Sequence, residues 1–304
     1  MSLSSYRPIP SLLSLTVSLG LASTAAAVPQ ATTLDAVQVT AAADASAQAR
    51  EALKRVPGAS NVIDVAKADS RLSSNADVLA YQPGISAQSP GNEGTKISIR
   101  GSGINRGPGA HASGIAVSID GLPLTGPGGT PYELLEPLWL SRVEVLRGAN
   151  GFERGALALG GAIDYVSRSG RDSAGVQLHY EAGSRGYQKR GLSWGGVNGN
   201  VDYFLAYTDT EFDGYQRHAH GDGKGAMANI GWQITPDLQT RFFVRYRETN
   251  HETPGRLTRD QIRNDPHAAN AANLAIDARR PQPGSTWVGN VTTLQIDEDS
   301  SLQA

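Results

Sequence analysis

The residues with the clearest chemistry are two histidines one position apart, His218 and His220, with Asp222 just beyond them. Imidazole nitrogens and carboxylate oxygens are common zinc ligands. No third ligand can be identified from the sequence, and a solvated polar loop is the simpler interpretation, so we predict no metal site. His251 begins an H-E-x-x-H pattern, but Gly255 occupies the position of the second histidine.

The glycine-rich segment around Gly101-Ser102-Gly103 invites a phosphate-loop interpretation. Pro108 interrupts the segment, no helical pattern follows, and the required Gly-Lys-Ser/Thr sequence is missing. The glycines are better explained by a tight loop, because glycine tolerates backbone conformations that other residues avoid. Serine, histidine and aspartate are all present, but we find no catalytic constellation or nucleophile elbow. We therefore expect no enzyme activity.

The N-terminus has the pattern of a secretory signal peptide. Arg7 precedes an apolar run at residues 12–22, and Ala25-Ala26-Ala27 provides a small-residue cleavage site. A membrane anchor is the alternative, but this run is short for a bilayer core about 30 Å thick. We predict cleavage after Ala27.

A strand-like segment follows the predicted cleavage site. Its apolar residues alternate with polar or small ones, and its neighbours are rich in alanine, glutamine and serine. A strand with no sheet nearby suggests pairing with another protein; a disordered tail is the alternative. The segment comprises Thr33, Leu34, Asp35, Ala36, Val37, Gln38 and Val39.

Composition limits the class of protein. The formal net charge of −2 argues against nucleic-acid binding, because proteins that bind nucleic acid usually carry a basic surface. The chain has no cysteine although it is expected to be exported, so disulfides do not stabilise it. No apolar run after residue 27 approaches the length of a membrane helix. The protein is therefore soluble after export, or it enters a membrane by strands.

The chain divides into four predicted segments: a signal peptide (1–27), a flexible linker (28–50), a glycine- and proline-rich α+β domain (51–170) and a region of long strands (171–304). In the α+β domain we predict a helix that begins at Ser74 or Asn75 and ends at Pro83-Gly84. Short strands are predicted at residues 61–65, 96–100, 115–120, 142–146 and 162–167.

The region of long strands alternates short turns with long polar loops. Asn198-Gly199-Asn200 and Thr235-Pro236-Asp237 are tight turns, whereas residues 212–224 and 250–285 are predicted loops. Outer-membrane barrels show this asymmetry between their two ends. A soluble β-sandwich is the alternative. Too few strands are present to close a large barrel, so we expect an incomplete one.

Five segments in the α+β domain resemble motifs of TonB-dependent outer-membrane receptors. In order they are DVLAYQPGI (77–85), ISIRG (97–101), VSIDGLP (117–123), RVEVLRG (142–148) and LGGAIDYVS (159–167). Each motif is weak alone, but five in order after a signal peptide and a free strand are specific. Residues 151–155, GFERG, depart from the Leu-Tyr-Gly that relatives carry near this point, which loosens the assignment within the family. Within the family, the loop at residues 105–112 and the D-G-x-P segment most resemble those of siderophore and ferric-citrate receptors.

The resemblance implies an α+β plug domain inside an antiparallel transmembrane β-barrel of about 22 strands. Residues 33–39 then resemble a TonB box, which would add as a strand to TonB, the energy transducer. The implied location is the outer membrane of a Gram-negative bacterium, in contact with its lipid. The implied function is TonB-dependent import of a ferric siderophore or similar iron chelate, with no cofactor and no nucleic-acid partner.

The resemblance also implies roles for individual residues. An apical plug loop would face the incoming ligand, so candidate ligand contacts are Arg106, His111, Tyr132, His218 and His220. Arginine suits anionic chelates because its planar donors match carboxylates. The arginines of the two R-G motifs, Arg100 and Arg147, would pair with glutamates of late barrel strands and lock the plug in place. Two solvated surface arginines are the alternative.

Other functions remain open at this point. Cobalamin, haem, nickel or a sugar could replace the iron chelate as cargo. From a different class, a secreted β-rich adhesion or binding module without transport would share the export signal and the strands.

Overall fold

A computed structural model of the protein describes residues 45–56, 58–68, 72–89, 95–102, 114–124, 130–148, 151, 158–297 and 300–304. The predicted signal peptide and the segment 33–39 lie outside these described residues, as do Arg106 and His111.

The first described element is a helix, α1 (Ala45–Lys54). The sequence assigned its first half to the flexible linker, and this is corrected by the structure. The segment ASAQAREALK consists almost entirely of good helix formers. Leu53 anchors the helix in a small apolar cluster with Val62, Leu146 and Ala162.

The N-terminal domain is built on a five-stranded mixed sheet in the order β1-β6-β7-β4-β5, in which only β4 and β7 run parallel. A hairpin of β2 and β3 lies beside it. The strands are β1 (Ala59–Asp64), β2 (Ile85–Gln88), β3 (Lys96–Ile99), β4 (Ile115–Ile119), β5 (Leu122–Pro123), β6 (Leu140–Arg147) and β7 (Gly161–Ser167). The five predicted strands are present, within two residues at each end, whereas β2 and β5 were not predicted.

Helix α2 (Asn75–Leu79) begins at the predicted place. Ser74 is its N-cap, and Ser74 and Asp77 form a reciprocal capping box that satisfies free backbone donors of the first turn. Val78 and Leu79 pack into the core of the domain. This core lies between the sheet, α2 and the 3-10 turn Tyr132–Leu134. A second 3-10 turn, Pro137–Trp139, follows it in the chain.

An Arg-Gly pair ends β3 sharply, and an Asp-Gly pair ends β4 in the same way. Arg100 and Asp120 have φ values of 50° and 53°, and a glycine with positive φ follows each. Because this left-handed region is unfavourable for most side chains, the strand stops there. This explains why β3 and β4 each end one residue before the predicted limit.

The C-terminal half forms a seven-stranded antiparallel sheet in which every strand pairs with its sequence neighbours, in the order β14-β13-β12-β11-β10-β9-β8. The strands are β8 (Gly175–Ala182), β9 (Gln188–Asn198), β10 (Val201–Phe212), β11 (Gly221–Gln233), β12 (Leu238–His251), β13 (Gln282–Gln295) and β14 (Ser301–Gln303). The sheet is open, consistent with the expected incomplete barrel.

The two faces of this sheet have opposite character. The outer face is apolar and exposed, with Val176, Leu178, Tyr180, Leu192, Trp194, Leu205, Tyr207, Ile230, Trp232, Phe242, Val244 and Tyr246. The inner face is covered by the N-terminal domain and is largely polar, with Lys189, Asp202, Thr208, Asn229, Arg245 and Arg247 among its buried residues. Among the helices of the described residues, none has the length and apolar character to cross a membrane.

The connections at the two ends of the sheet differ in length, as predicted, but two loops are shorter than expected. The β10–β11 loop is 213–220 rather than 212–224, because the glycine-rich start of β11 pairs with β10 and β12. The β12–β13 loop is 252–281 rather than 250–285 and contains the short helices α3 (Arg259–Asn264) and α4 (Ala271–Ala275). Both loops lie at one end, and the tight turns at Gly199 and Pro236 lie at the other.

Candidate functional site

The N-terminal domain meets the inner face of the sheet through an apolar contact at its centre. Trp139 is fully buried and packs against Phe204, Ala206 and Met227. The sheet makes room for this contact with glycine: a Cβ at Gly225 would lie 3.0 Å from the Trp139 ring and 2.5 Å from a backbone oxygen. A larger residue at position 225 would push the two parts of the molecule apart.

A buried ion pair lies beside this contact. The Lys189 ammonium of β9 is 2.8 Å from the Glu136 carboxylate, and the Arg247 guanidinium of β12 is 3.7 Å from it. Both partners of the shorter pair are almost fully buried, with side chains 3% and 4% exposed. Burial alone would raise the pKa of Glu136, but the charges of Lys189 and Arg247 outweigh it and hold the pKa below its usual value.

A third buried cation, Arg245, reaches from β12 into the N-terminal domain. It donates hydrogen bonds to the Leu134 carbonyl oxygen at 2.9 Å and to the Ser167 hydroxyl at 2.7 Å. The same Ser167 donates two hydrogen bonds to the Asp120 carboxylate, one from its backbone N–H at 2.8 Å and one from its hydroxyl. Burial raises the pKa of Asp120 to about 6, although the nearby Arg245 charge and the Ser167 hydrogen bonds oppose the rise.

Two further hydrogen bonds complete the interface. Asn229 donates to the Arg168 carbonyl oxygen at 2.8 Å, and the Ser285 hydroxyl donates to the Glu133 carboxylate at 2.5 Å. The contact between the two parts therefore combines apolar contacts, at Trp139 and at Trp287 of β13, with several charged and polar links. It differs from the continuous apolar core inside the N-terminal domain.

The two arginines of the predicted lock lie close together. Arg147 is 8% exposed, and burial together with the Arg100 charge lowers its pKa. Arg100 is exposed, and its guanidinium reaches the backbone at Gly148. Within the described part of the chain neither arginine forms an ion pair, and Arg147 Nε has no hydrogen-bond partner. The predicted glutamate partners, expected beyond Ala304, stay a prediction.

The candidate ligand contacts occupy different places. Tyr132 packs in the core of the N-terminal domain with 8% exposure, and burial raises its pKa to about 12. This position argues against direct ligand contact. His218 and His220 both lie in the β10–β11 loop, but their rings do not converge: His218 is nearly buried, whereas His220 is more exposed and faces Asp213 at 3.5 Å.

The interface residues Glu136, Lys189, Arg245 and Arg247 were missed in the sequence. A signal existed for the last two: they alternate with the apolar residues Phe242, Val244 and Tyr246, and so belong to the opposite face of β12. No comparable signal marked Glu136, which lies between two short 3-10 turns. The letters G-x-S-x-G do occur at residues 191–195, but they lie inside β9 rather than at a strand-to-helix turn.

Comparison with known proteins agrees with this architecture. Residues 52–162 match the family model described as the TonB-dependent Receptor Plug Domain. The N-terminal domain is therefore a plug domain. Four of the five motifs lie within the matched segment, and the fifth, at residues 159–167, begins inside it.

Several solved structures share the fold. The unliganded ferric citrate transporter FecA superposes with a TM-score of 0.66 at 17% identity, over 85% of this chain and 40% of that chain. FpvA of P. aeruginosa, solved with heterologous pyoverdines, superposes with a TM-score of 0.60 at 18% identity, over 80% of this chain and 32% of that chain. The copper transporter OprC superposes with a TM-score of 0.60 at 14% identity, over 80% of this chain and 35% of that chain.

The chain thus spans less than half the length of these receptors, and within that span it has a plug domain followed by the antiparallel strands of a partial barrel. Its plug domain matches the TonB-dependent receptor plug model over residues 52–162, and the chain shares the fold of these receptors over the span that they have in common.

Proposed function

We propose that the protein is an outer-membrane receptor of a Gram-negative bacterium that imports a ferric siderophore or similar iron chelate, powered by TonB. One observation carries the proposal: a plug domain of this receptor family packs on the polar inner face of an antiparallel sheet whose outer face is apolar.

The outer face supports a membrane location. Trp194 and Phe242 are about half exposed on this face, and the other side chains there are also mostly apolar or aromatic. A soluble protein rarely leaves so large an apolar surface open to water. Lipid would cover it, in the alternation of apolar outside and polar inside that is typical of transmembrane barrels. We propose that residues 171–304 contribute barrel strands and residues 51–170 the plug.

The polar interface supports a plug that can shift. Ion pairs and hydrogen bonds such as Glu136–Lys189 can exchange for water more readily than an apolar core can. We propose that residues 33–39 bind TonB by strand addition. A pull on that segment would act first on α1 and on β1, which is at the edge of its sheet and pairs only with β6.

The cargo rests on weaker support. FecA is named as a ferric citrate transporter, FpvA was solved as an iron–pyoverdine complex, and OprC is named as a copper transporter. Arg106 and His111 remain proposed ligand contacts. The adhesion alternative has less support, because a secreted adhesin needs no plug. We propose no enzyme activity, in keeping with relatives that are transporters and receptors.

Uptake by the full-length receptor tests this function. Cells lacking their own iron receptors would express the wild type, Val37→Pro or Ala43→Pro, and would be given radiolabelled ferric citrate, catecholate or hydroxamate. Proline removes a backbone donor and should prevent strand addition at position 37. We expect Val37→Pro to bind one of these chelates but not import it, whereas Ala43→Pro imports normally.

Two results would contradict the proposal. Normal uptake by Val37→Pro would reject residues 33–39 as the TonB-binding segment. Uptake that persists in a strain without TonB would reject the stated energy source. Entry of copper or cobalamin, with no uptake of any iron chelate, would reject the stated cargo.

A further inference from the structure

Three side chains with metal-ligating atoms converge between the two long loops. His218 lies in the β10–β11 loop, and Glu252 and Asp277 lie at opposite ends of the β12–β13 loop. One ligand atom from each residue falls within 4.8 Å of the others. The two segments are far apart in sequence, so the cluster exists only in the folded loops.

His218 presents an unsatisfied nitrogen to this cluster. Its side chain is 9% exposed, and Nε2 lies 2.9 Å from the Ala278 carbonyl oxygen. Because a carbonyl oxygen only accepts, Nε2 carries a proton, and Nδ1 is the ring nitrogen that faces the cluster. Nδ1 lies 3.7 Å from the Glu252 carboxylate and 3.8 Å from the Asp277 carboxylate, beyond hydrogen-bond distance.

The arrangement places three electron-pair donors against one another. A lone pair and two anionic oxygens repel unless a cation lies among them. A backbone carbonyl that accepts the far N–H of a histidine is also the usual way in which a ligating imidazole is oriented. The His218–Ala278 hydrogen bond supplies that orientation here.

Arg279 holds both carboxylates in place from the other side. It donates to Glu252 Oε1 at 3.1 Å and to Asp277 Oδ2 at 2.9 Å. Each carboxylate thus uses one oxygen for Arg279 and turns the other, Oε2 or Oδ1, toward His218. Glu252 Oε2 also accepts a hydrogen bond from the His220 backbone N–H at 3.2 Å, which His220→Ala would keep. The guanidinium also balances one of the two negative charges, so the cluster keeps a net charge of −1 for an incoming cation.

We propose that His218, Glu252 and Asp277 bind a divalent transition-metal ion of the zinc type, which fastens the β10–β11 loop to the β12–β13 loop. One nitrogen and two carboxylate oxygens form a three-ligand set that leaves a fourth position for water. At metal–ligand distances of 2.0–2.2 Å, neighbouring ligand atoms would be about 3.4 Å apart. Asp277 is 64% exposed and can swing inward to close the difference. Calcium fits less well, because it prefers six to eight oxygen ligands.

This site differs from the histidine pair considered in the sequence. His220 faces Asp213 instead, and the two carboxylates come from segments that no local spacing could connect to His218. The proposed ion is part of the loop structure and is independent of the cargo. The binding test below therefore does not depend on transport.

Zinc binding to the purified full-length receptor tests the proposal. The protein would be extracted in detergent with a tag other than polyhistidine, stripped with chelator and titrated calorimetrically with Zn²⁺ alone. We expect one site per receptor, weakened more than tenfold in His218→Ala and about tenfold in Asp277→Asn. His220→Ala is the matched control, because it removes a histidine two positions away and should bind as the wild type does.

Trypsin gives a second readout. Arg256 and Arg263 are cleavage positions in the β12–β13 loop, and Zn²⁺ should slow cutting there several-fold in the wild type but not in His218→Ala. Binding that is unchanged in His218→Ala, or lost in His220→Ala, would overturn the proposal. Protection that follows pH in metal-free protein would also overturn it, in favour of a protonated imidazole between the carboxylates.

Discussion

Lys189 of the barrel sheet and Glu136 of the plug domain form a buried ion pair, with 2.8 Å between the ammonium and the carboxylate. The pair joins two parts of the molecule that are otherwise in contact through apolar contacts and several hydrogen bonds. Its polarity also reverses the predicted lock: here the barrel supplies the cations and the plug supplies the acid. Arg247 adds a second barrel cation at 3.7 Å.

The first prediction concerns this ion pair. In Glu136→Gln, Lys189 and Arg247 stay buried without a countercharge, and we expect a cost of about 3–5 kcal/mol in plug stability. The measurement is a urea titration of the full receptor in which every tryptophan but Trp139, the single tryptophan of the plug domain, is replaced by phenylalanine, so that the fluorescence reports on the plug.

A matched control lies on the same strand. Arg190 pairs with Asp209 on the exposed side of the sheet at 3.1 Å, and Arg190→Met should cost less than about 1 kcal/mol. Lys189→Met combined with Glu136→Gln should cost less than the sum of the single changes. Equal, small effects of Glu136→Gln and Arg190→Met would show that the buried pair does not hold the plug.

The second prediction is a pH dependence set by Asp120. Its folded-state pKa of about 6 lies above the ordinary value of 3.8, so the folded plug holds this proton more tightly than the unfolded chain does. Stability should therefore rise as the pH falls from 7 to 5, by about 1 kcal/mol from this group. Glu136 has a lowered pKa and acts in the opposite sense, but only nearer its unfolded value of 4.5 and below.

Asp120→Asn should remove the gain between pH 7 and 5. The same tryptophan titration at pH 7, 6 and 5 measures it, with wild type and variant compared at each pH. If the variant keeps the full pH dependence in this window, the gain comes from another group and the assignment to Asp120 is wrong.

The third prediction concerns Arg100 and Arg147. Arg147 is buried and its pKa is lowered first by burial and then by the neighbouring Arg100 charge, so the two cations need an anionic partner. We expect each change to alanine to loosen the plug in the full receptor. The double variant should be strongly non-additive if both charges share one network of barrel glutamates.

In the 304-residue chain alone, both arginine substitutions should have little effect, because the predicted glutamates belong to later strands. Protease sensitivity of the plug in full-length and short proteins makes the comparison. Additive changes below about 0.5 kcal/mol in the full receptor would leave the two arginines as ordinary surface charges.

The fourth prediction is topological. The long β10–β11 and β12–β13 loops should face outside the cell, and the tight turns should face the periplasm. The chain has no cysteine, so an introduced one is unique within it. On intact cells, Asn264→Cys in α3 should react with a membrane-impermeant thiol reagent, whereas Pro236→Cys should not.

Pro236 is a better position than Gly199, because Gly199 has a φ of 57° that a cysteine would adopt only with strain. Labelling of Pro236→Cys, with Asn264→Cys protected, would reverse the topology. Labelling of both in intact cells would place the sheet outside a membrane and favour the secreted alternative.

The sequence by itself predicted the resemblance to the receptor family and most of the strands in their order, although it missed β2, β5 and the start of α1. Short-range patterns carry this information: the Ser74 capping box, the glycines after Arg100 and Asp120, and the alternation in β10 and β12 all act over a few residues. Such signals survive without knowledge of the partner surface, and the predicted strands accordingly lie within a few residues of the observed ones. The glycine-rich start of β11 misled prediction, since its composition is that of a loop.

The tertiary structure decided which face of each strand is covered and which charges meet. From the sequence alone, Gly225 has the character of a turn residue. The structure shows that a glycine is needed there because the Trp139 ring of the packed plug leaves no room for a side chain. Glu136 and Lys189 are 53 residues apart, and His218 meets Asp277 across two loops. Electrostatic partners of this kind depend on position in space, and no local periodicity records them.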